Sequence, residues 1–224
     1  MLSQKLGLSL PSNKYVEWLP TDESSLVAWY QKGEGIGLDG SGNVERWLDS
    51  SANSHTMEQG GATKRPAYSN GVLTFDPSTD DHLQTSSQIS LGGAFTLAFR
   101  ANPAATNVTI LADNTTSNEF IKYSTSSRIV IKIDGTSKNL NLDSGTFGDD
   151  YIVISRDGSD LITLYHNGVA QSGTQTLDGE CDIDAIGVRA TDLNHYDGTV
   201  EEVQIYSSTS ANLIASINAR LQGI

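Results

Sequence analysis

Apolar and polar residues alternate along most of this chain. Phe95, Leu97 and Phe99 alternate with Thr96, Ala98 and Arg100, and Ile129, Ile131 and Ile133 alternate with Val130 and Lys132. A period of two with one apolar face predicts half-buried antiparallel strands. The same reading predicts strands at 26–30, 72–75, 108–112, 119–123, 151–155, 161–166, 183–189 and 200–206. Asp134-Gly135, Asp157-Gly158, Asn167-Gly168 and Asp197-Gly198 punctuate them, and such dipeptides favour the positive φ of tight hairpins. One helix is predicted over 210–222. There Leu213, Ile214, Ile217 and Leu221 make one stripe, Arg220 complements the dipole in the last turn, and Gly223 supplies a terminator. A dozen short strands at this spacing predict an all-β sandwich or jelly roll rather than an α/β enzyme.

Residues 1–24 break the pattern. Leu6, Leu8, Leu10, Val16, Trp18 and Leu19 sit among Pro11, Pro20, Ser and Asn without a helical period, and each proline pushes its predecessor toward extended backbone. The segment reads as an extended arm with apolar studs, or as a frayed terminus or an edge strand of the domain that follows over 25–224. As an arm it would dock on a neighbouring protein by strand addition or groove filling, with Leu6, Leu8, Leu10 and Trp18 as anchors. The first ten residues lack the basic end and unbroken apolar stretch of a secretory signal, so synthesis and retention in the cytoplasm, or exit by another route, is expected.

Charge narrows the partners. Fourteen Lys and Arg against 27 Asp and Glu leave a net charge of −13, which repels phosphate backbones and anionic lipid and argues against nucleic acid and membrane. The single cysteine, Cys181, excludes an intramolecular disulfide framework and a Cys-based zinc site. His55, His82, His166 and His195 form no metal-spaced pair.

Catalytic patterns are sparse. Glu180-Cys181-Asp182-Ile183-Asp184 is the nearest approach to the alternating carboxylates of a retaining glycosidase, but its last acid is one methylene short, and Asp178-Gly179 suggest a turn that leaves Glu180 outside any strand. Gly35-x-Gly37-x-x-Gly40 has no helix after it and reads as a hairpin loop rather than a dinucleotide fingerprint. Asp76, Asp80 and Asp81 cluster in FDPSTDD, where hard-cation ligands such as those of calcium would gather. The competing reading is a solvated acidic turn in which Asp76 caps its own loop. Trp29 and Trp47 belong to apolar-alternating strands and are expected in the core, whereas Tyr68, Tyr123 and Tyr196 are candidates for exposed sugar-stacking rings.

The order of motifs resembles the laminin-G-like branch of the concanavalin A-like lectin and glucanase fold. The resemblance rests on LVAWY (26–30), WLDSSANS (47–54), RPAYSNGVLTFDPSTDDHL (65–83), GAFTLAF (93–99), LYHNGV (164–169) and the run AIGVRA to DGTVEEVQIY (185–206). It implies two stacked antiparallel sheets of about six strands each, and calcium at a rim formed by loops such as 76–81. Single-domain chains with this short polar start resemble virion proteins of tailed bacteriophages, including those infecting cyanobacteria. The function so implied is that of a non-enzymatic, multicopy structural protein of the virion, a capsid decoration or a neck, tail or fibre component. Its arm would hold other virion proteins, and its sandwich would face outward with weak adhesion to a host-surface glycan. The alternatives are a carbohydrate-binding lectin module, calcium-dependent or not, and a degenerate glucanase.

Overall fold

The computed structural model describes residues 18–190 and 193–224. In chain order its strands are Leu26–Tyr30 (β1), Ile36–Leu38 (β2), Val44–Trp47 (β3), Met57–Glu58 (β4), Ala67–Ser69 (β5), Val72–Phe75 (β6), Leu83–Leu91 (β7), Phe95–Pro103 (β8) and Val108–Ala112 (β9). They continue with Phe120–Thr125 (β10), Arg128–Ile133 (β11), Thr136–Asn141 (β12), Asp150–Arg156 (β13), Leu161–His166 (β14), Val169–Ala170 (β15), Gln175–Thr176 (β16), Cys181–Ile186 (β17) and Gly198–Tyr206 (β18), before one helix, Ala211–Gln222 (α1).

These strands form two antiparallel sheets. The first runs β15-β14-β13-β8-β18-β6-β5, with β1 also on β18 and β16 also on β14; the second runs β12-β11-β10-β9-β17-β7-β4-β3-β2. The expected sandwich is therefore present, with nine strands per sheet rather than about six. The difference lies in two- to four-residue pieces such as β2, β4, β5, β15 and β16, too short for a period of two to register. The inward residues of both sheets, including Trp47, Phe75, Leu97, Phe99, Ile129, Ile131, Ile133 and Val203, make one apolar core.

Two of the four turn dipeptides make the expected tight hairpins: Asp134-Gly135 has φ 46° and 79°, and Asn167-Gly168 has 48° and 80°. The other two act differently. Asp157 uses its carboxylate to accept the N–H groups of Ser159 and Leu161, and the left-handed residue of that turn is Asp160. Gly198 opens β18, where an added Cβ would lie 2.2 Å from the Asn102 carbonyl oxygen, so glycine there permits close backbone approach. The strand expected over 183–189 ends at Ile186, because Gly187 takes φ 92° against the Phe75 ring.

Tyr123 and Tyr196, candidates for exposed rings, are instead 1% and 0% exposed. They stack on each other and on Phe99, Phe147 and Phe75 inside the sandwich. Tyr68 is partly buried against the same core, while Trp29 and Trp47 are buried as expected.

Helix α1 starts at Ser210, whose Oγ accepts the Leu213 N–H. Its stripe of Leu213, Ile214, Ile217 and Leu221 packs on Ala98, Val153 and Tyr206, on the outer face of the first sheet. Trp18 is half-buried against this cluster, and Pro20–Asp22 form a 3-10 turn with Pro20 buried. Residues 18–24, assigned from sequence to the arm, thus lie against the sandwich. The one described helix is not long and apolar enough to cross a membrane.

Candidate binding face

The helix covers one outer face of the sandwich. No described element covers the outer face of the second sheet, which alternation makes polar. On β11 the inward residues Ile129, Ile131 and Ile133 leave Arg128, Val130 and Lys132 facing out. On β10, Phe120 and Lys122 take the positions opposite to Ile121 and Tyr123, and on β7 the exposed residues include Gln84, Gln88 and Ser90.

An open depression of about 330 Å³ lies on this face, lined by Gln88, Asp113, Thr116, Glu119, Glu180 and Asp182 among others. Hydrogen bonds hold its wall. Asp113 accepts the N–H and the hydroxyl of Thr115, both at 2.6 Å, and Asp184 accepts the Asn114 N–H at 2.6 Å. The Asn114 amide donates to Gln84 at 2.7 Å, and Ser90 donates its hydroxyl to Asp182 at 2.6 Å. Thr116 Oγ1 lies 2.9 Å from an Asp113 oxygen and 3.0 Å from a Glu119 oxygen. One hydroxyl hydrogen serves only one of them at a time.

Burial, and then the Asp113 charge, push the Glu119 carboxyl up. Burial, with repulsion from Asp113 and Asp182, pushes Asp184 up to about 6 despite the Asn114 hydrogen bond. A carboxyl whose folded pKa exceeds its unfolded value of about 3.9 gives full stability below that value and loses it as pH rises through the folded pKa. For Asp184 the loss falls between about pH 4 and pH 6 and, with solvent screening of a half-buried group, amounts to roughly 1–3 kcal/mol. Asp184→Asn, which keeps an acceptor for Asn114, is expected to stabilise the chain by roughly 1–3 kcal/mol at neutral pH and to change little near pH 4. Urea unfolding at the two pH values checks this, and a stability difference independent of pH would contradict it.

Beside the acidic wall stands a cationic group. Lys122, Lys132 and Arg189 lie 5.5, 5.8 and 5.5 Å from the centroid of the Phe120 ring. Lys132 donates to the Ser117 carbonyl at 2.7 Å, which ties it to the loop that carries the acids.

Of the residues singled out from sequence, Glu180 precedes β17 and is exposed, so it stands outside the strand as expected. Leu6, Leu8 and Leu10 lie outside the described residues. Trp18, with Ala215, Ser216, Ala219 and Arg220, lines an open groove of about 380 Å³ beside α1. In the 76–81 loop the three acids turn to separate partners. Asp76 accepts the Ser78 N–H, as the capping alternative expects, Asp81 accepts the Asp76 N–H and the Thr79 hydroxyl, and Asp80 faces Lys64 and His195. Among the described residues no group of three His, Cys, Asp or Glu is placed to hold a metal ion. Sequence reading missed Asp113, Glu119, Phe120, Lys122, Lys132 and Arg189. Outward register on β10 and β11 flags Phe120, Lys122 and Lys132, but nothing local brings Arg189 to them.

No protein-family model matches the chain, and no curated protein is significantly similar to it. Among solved structures it is similar to the binding domain of Paraclostridial Mosquitocidal Protein 1, at 13% identity and a TM-score of 0.53, over 92% of this chain and 53% of that one. The chain thus spans about half the length of that domain's chain. It is also similar to a CBM40 of a Ruminococcus gnavus IT-sialidase bound to alpha2,3 sialyllactose, at 13% identity and a TM-score of 0.44, over 56% of this chain and 82% of that one. What the chain shares with the mosquitocidal-protein binding domain, at 13% identity, is the fold alone.

Proposed function

We propose that the chain is a non-catalytic carbohydrate-binding module that takes a saccharide on the open face of the second sheet. The observation that carries this reading is the depression between β7, β17 and the 113–119 loop, where carboxylates, an amide and hydroxyls face solvent side by side. Saccharides are dense in hydroxyl donors, and fixed carboxylate and amide acceptors on a rigid sheet recognise such donors without a reorganisation cost. A structural neighbour that matches over 92% of this chain is itself named a binding domain, which adds a fold-level analogy.

Binding to an array of immobilised saccharides tests the reading. The wild-type chain is expected to select a subset and release it chemically intact. Gln88→Ala combined with Glu180→Ala, two exposed positions, should weaken that binding by roughly tenfold or more while leaving the melting temperature unchanged. An array without a hit, or hits indifferent to both substitutions, would reject it. Cleavage of the bound saccharide would instead favour the glucanase alternative. The virion role implied by resemblance depends on residues 1–17, outside the described residues, and on Trp18, which packs against the chain's own helix; the open sheet face therefore carries the functional reading here.

A further inference from the structure

The cations beside the depression are gathered against their own repulsion. Lys122 comes from β10, Lys132 from β11 and Arg189 from the segment after β17, and all three converge on the ring of Phe120, itself only 6% exposed. A chain with a net charge of −13 offers carboxylates in excess, yet none of these three makes an ion pair with a described carboxylate. Lys122 donates to the Asn107 side-chain oxygen at 2.8 Å and Lys132 to the Ser117 carbonyl, both neutral acceptors. Arg189 Nε is buried with no hydrogen-bond partner among the described residues. Burial and the Arg189 charge together push the Lys122 ammonium down. Three half-desolvated cations around one ring, with neutral partners and a free donor, make a place where a bound anion relieves repulsion that the empty protein bears.

The surroundings limit that anion to one. Asp113, Glu119, Asp134 and Asp182 stand together around the adjoining depression. Any second negative group on a ligand that reached across would meet them, as well as the negative field of the whole chain. Hydroxyl groups meet no such penalty there, since they donate to the same carboxylates.

Resting on the carbohydrate reading above, we propose that Lys122, Lys132 and Arg189 seat the single carboxylate or sulfate of an otherwise neutral saccharide, whose hydroxyls occupy the neighbouring acidic depression. Phe120 supplies the apolar floor against which the cationic side chains are held. Polyanionic chains such as heparin are excluded by the acidic half of the face.

Matched sets of immobilised saccharides test this on the full chain, each backbone presented neutral, with one carboxylate and with one sulfate, and with heparin as the polyanion. At least one mono-anionic form is expected to bind about tenfold tighter than its neutral counterpart, and heparin no better than the neutral form. Whichever of the carboxylate and sulfate arms shows the excess identifies the anion. Arg189→Gln and Lys132→Gln, each checked for an unchanged melting temperature, should remove most of that excess, read as the ratio of mono-anionic to neutral affinity within the same variant. Equal binding of neutral and mono-anionic forms overturns this proposal and leaves the carbohydrate reading standing, as does an excess that survives both substitutions. Preferential binding of heparin overturns the limit to one charge. Failure to bind any saccharide removes both readings together.

Discussion

Arg220→Met is expected to destabilise the chain by about 3–5 kcal/mol, because it strands a buried carboxylate. Glu202 is 0% exposed and faces the helix from β18. Arg220 grips it through Nε at 2.6 Å and a terminal nitrogen at 3.0 Å, with its guanidinium 4.7 Å from the Trp29 ring centroid. The same carboxylate accepts the Trp29 indole N–H at 3.0 Å and the Gln204 amide at 2.7 Å, and Gln204 in turn accepts the Tyr206 hydroxyl. Methionine preserves much of the apolar stem but leaves the charge unopposed, and the remaining neutral donors, Trp29, Gln204 and the Lys32 N–H, do not offset it. Adding Glu202→Gln to Arg220→Met should recover about half of the loss, since an amide can be buried among those donors without a counter-ion. Denaturant titrations of the two single variants and the double variant read this directly. Additive losses would show that the pair is not coupled.

A second large effect is expected at Arg156, which is 0% exposed and has no carboxylate partner among the described residues. Its guanidinium donates to four backbone carbonyls instead: Gly93 at 2.6 Å, Gly179 at 2.7 Å, Leu91 at 3.1 Å and Leu177 at 3.4 Å. It also lies 4.7 Å from the Phe95 ring centroid. Arg156 belongs to β13 of the first sheet, while Leu91 ends β7 of the second and Gly179 precedes β17, so one side chain laces the two sheets together at one end of the sandwich. Arg156→Met removes every donor and leaves those carbonyls dependent on whatever water can enter, an expected loss of about 3–5 kcal/mol. Arg156→Lys should recover only part of it, because a lysine head cannot span carbonyls that a planar fork reaches together. Because Glu180 adjoins Gly179, both variants should also weaken saccharide binding at the depression. Full stability in Arg156→Lys would show that charge alone, without the fork geometry, holds this end.

The two expectations share a lesson about reach. Period-two alternation revealed the strands of the core, with Val130 and Lys132 on the polar side of β11, and a single amphipathic stripe over 210–222 revealed α1. These features are local: side-chain direction on a strand or helix depends only on neighbouring backbone geometry, and the turn residues at 134–135 and 167–168 carry their own φ preference. Nothing in the local pattern of the strand over 200–206 marks Glu202 and Gln204 as buried.

Tertiary packing alone placed α1 over Glu202 and Gln204 while leaving the second sheet's outer face open. Trp29 and Glu202 meet across 173 positions of sequence, and Arg156 and Leu91 across 65. The same holds for the candidate site. Asp182 and Ser90 share a hydrogen bond across 92 positions, and Arg189 joins Lys122 over Phe120 because β17 follows β9 and β10 in the sheet. Alternation says that a strand has two faces, but not which strand lies beside it or what covers each face. Those are settled by burying the largest apolar area with every backbone group paired, a property of the whole chain and of no segment within it.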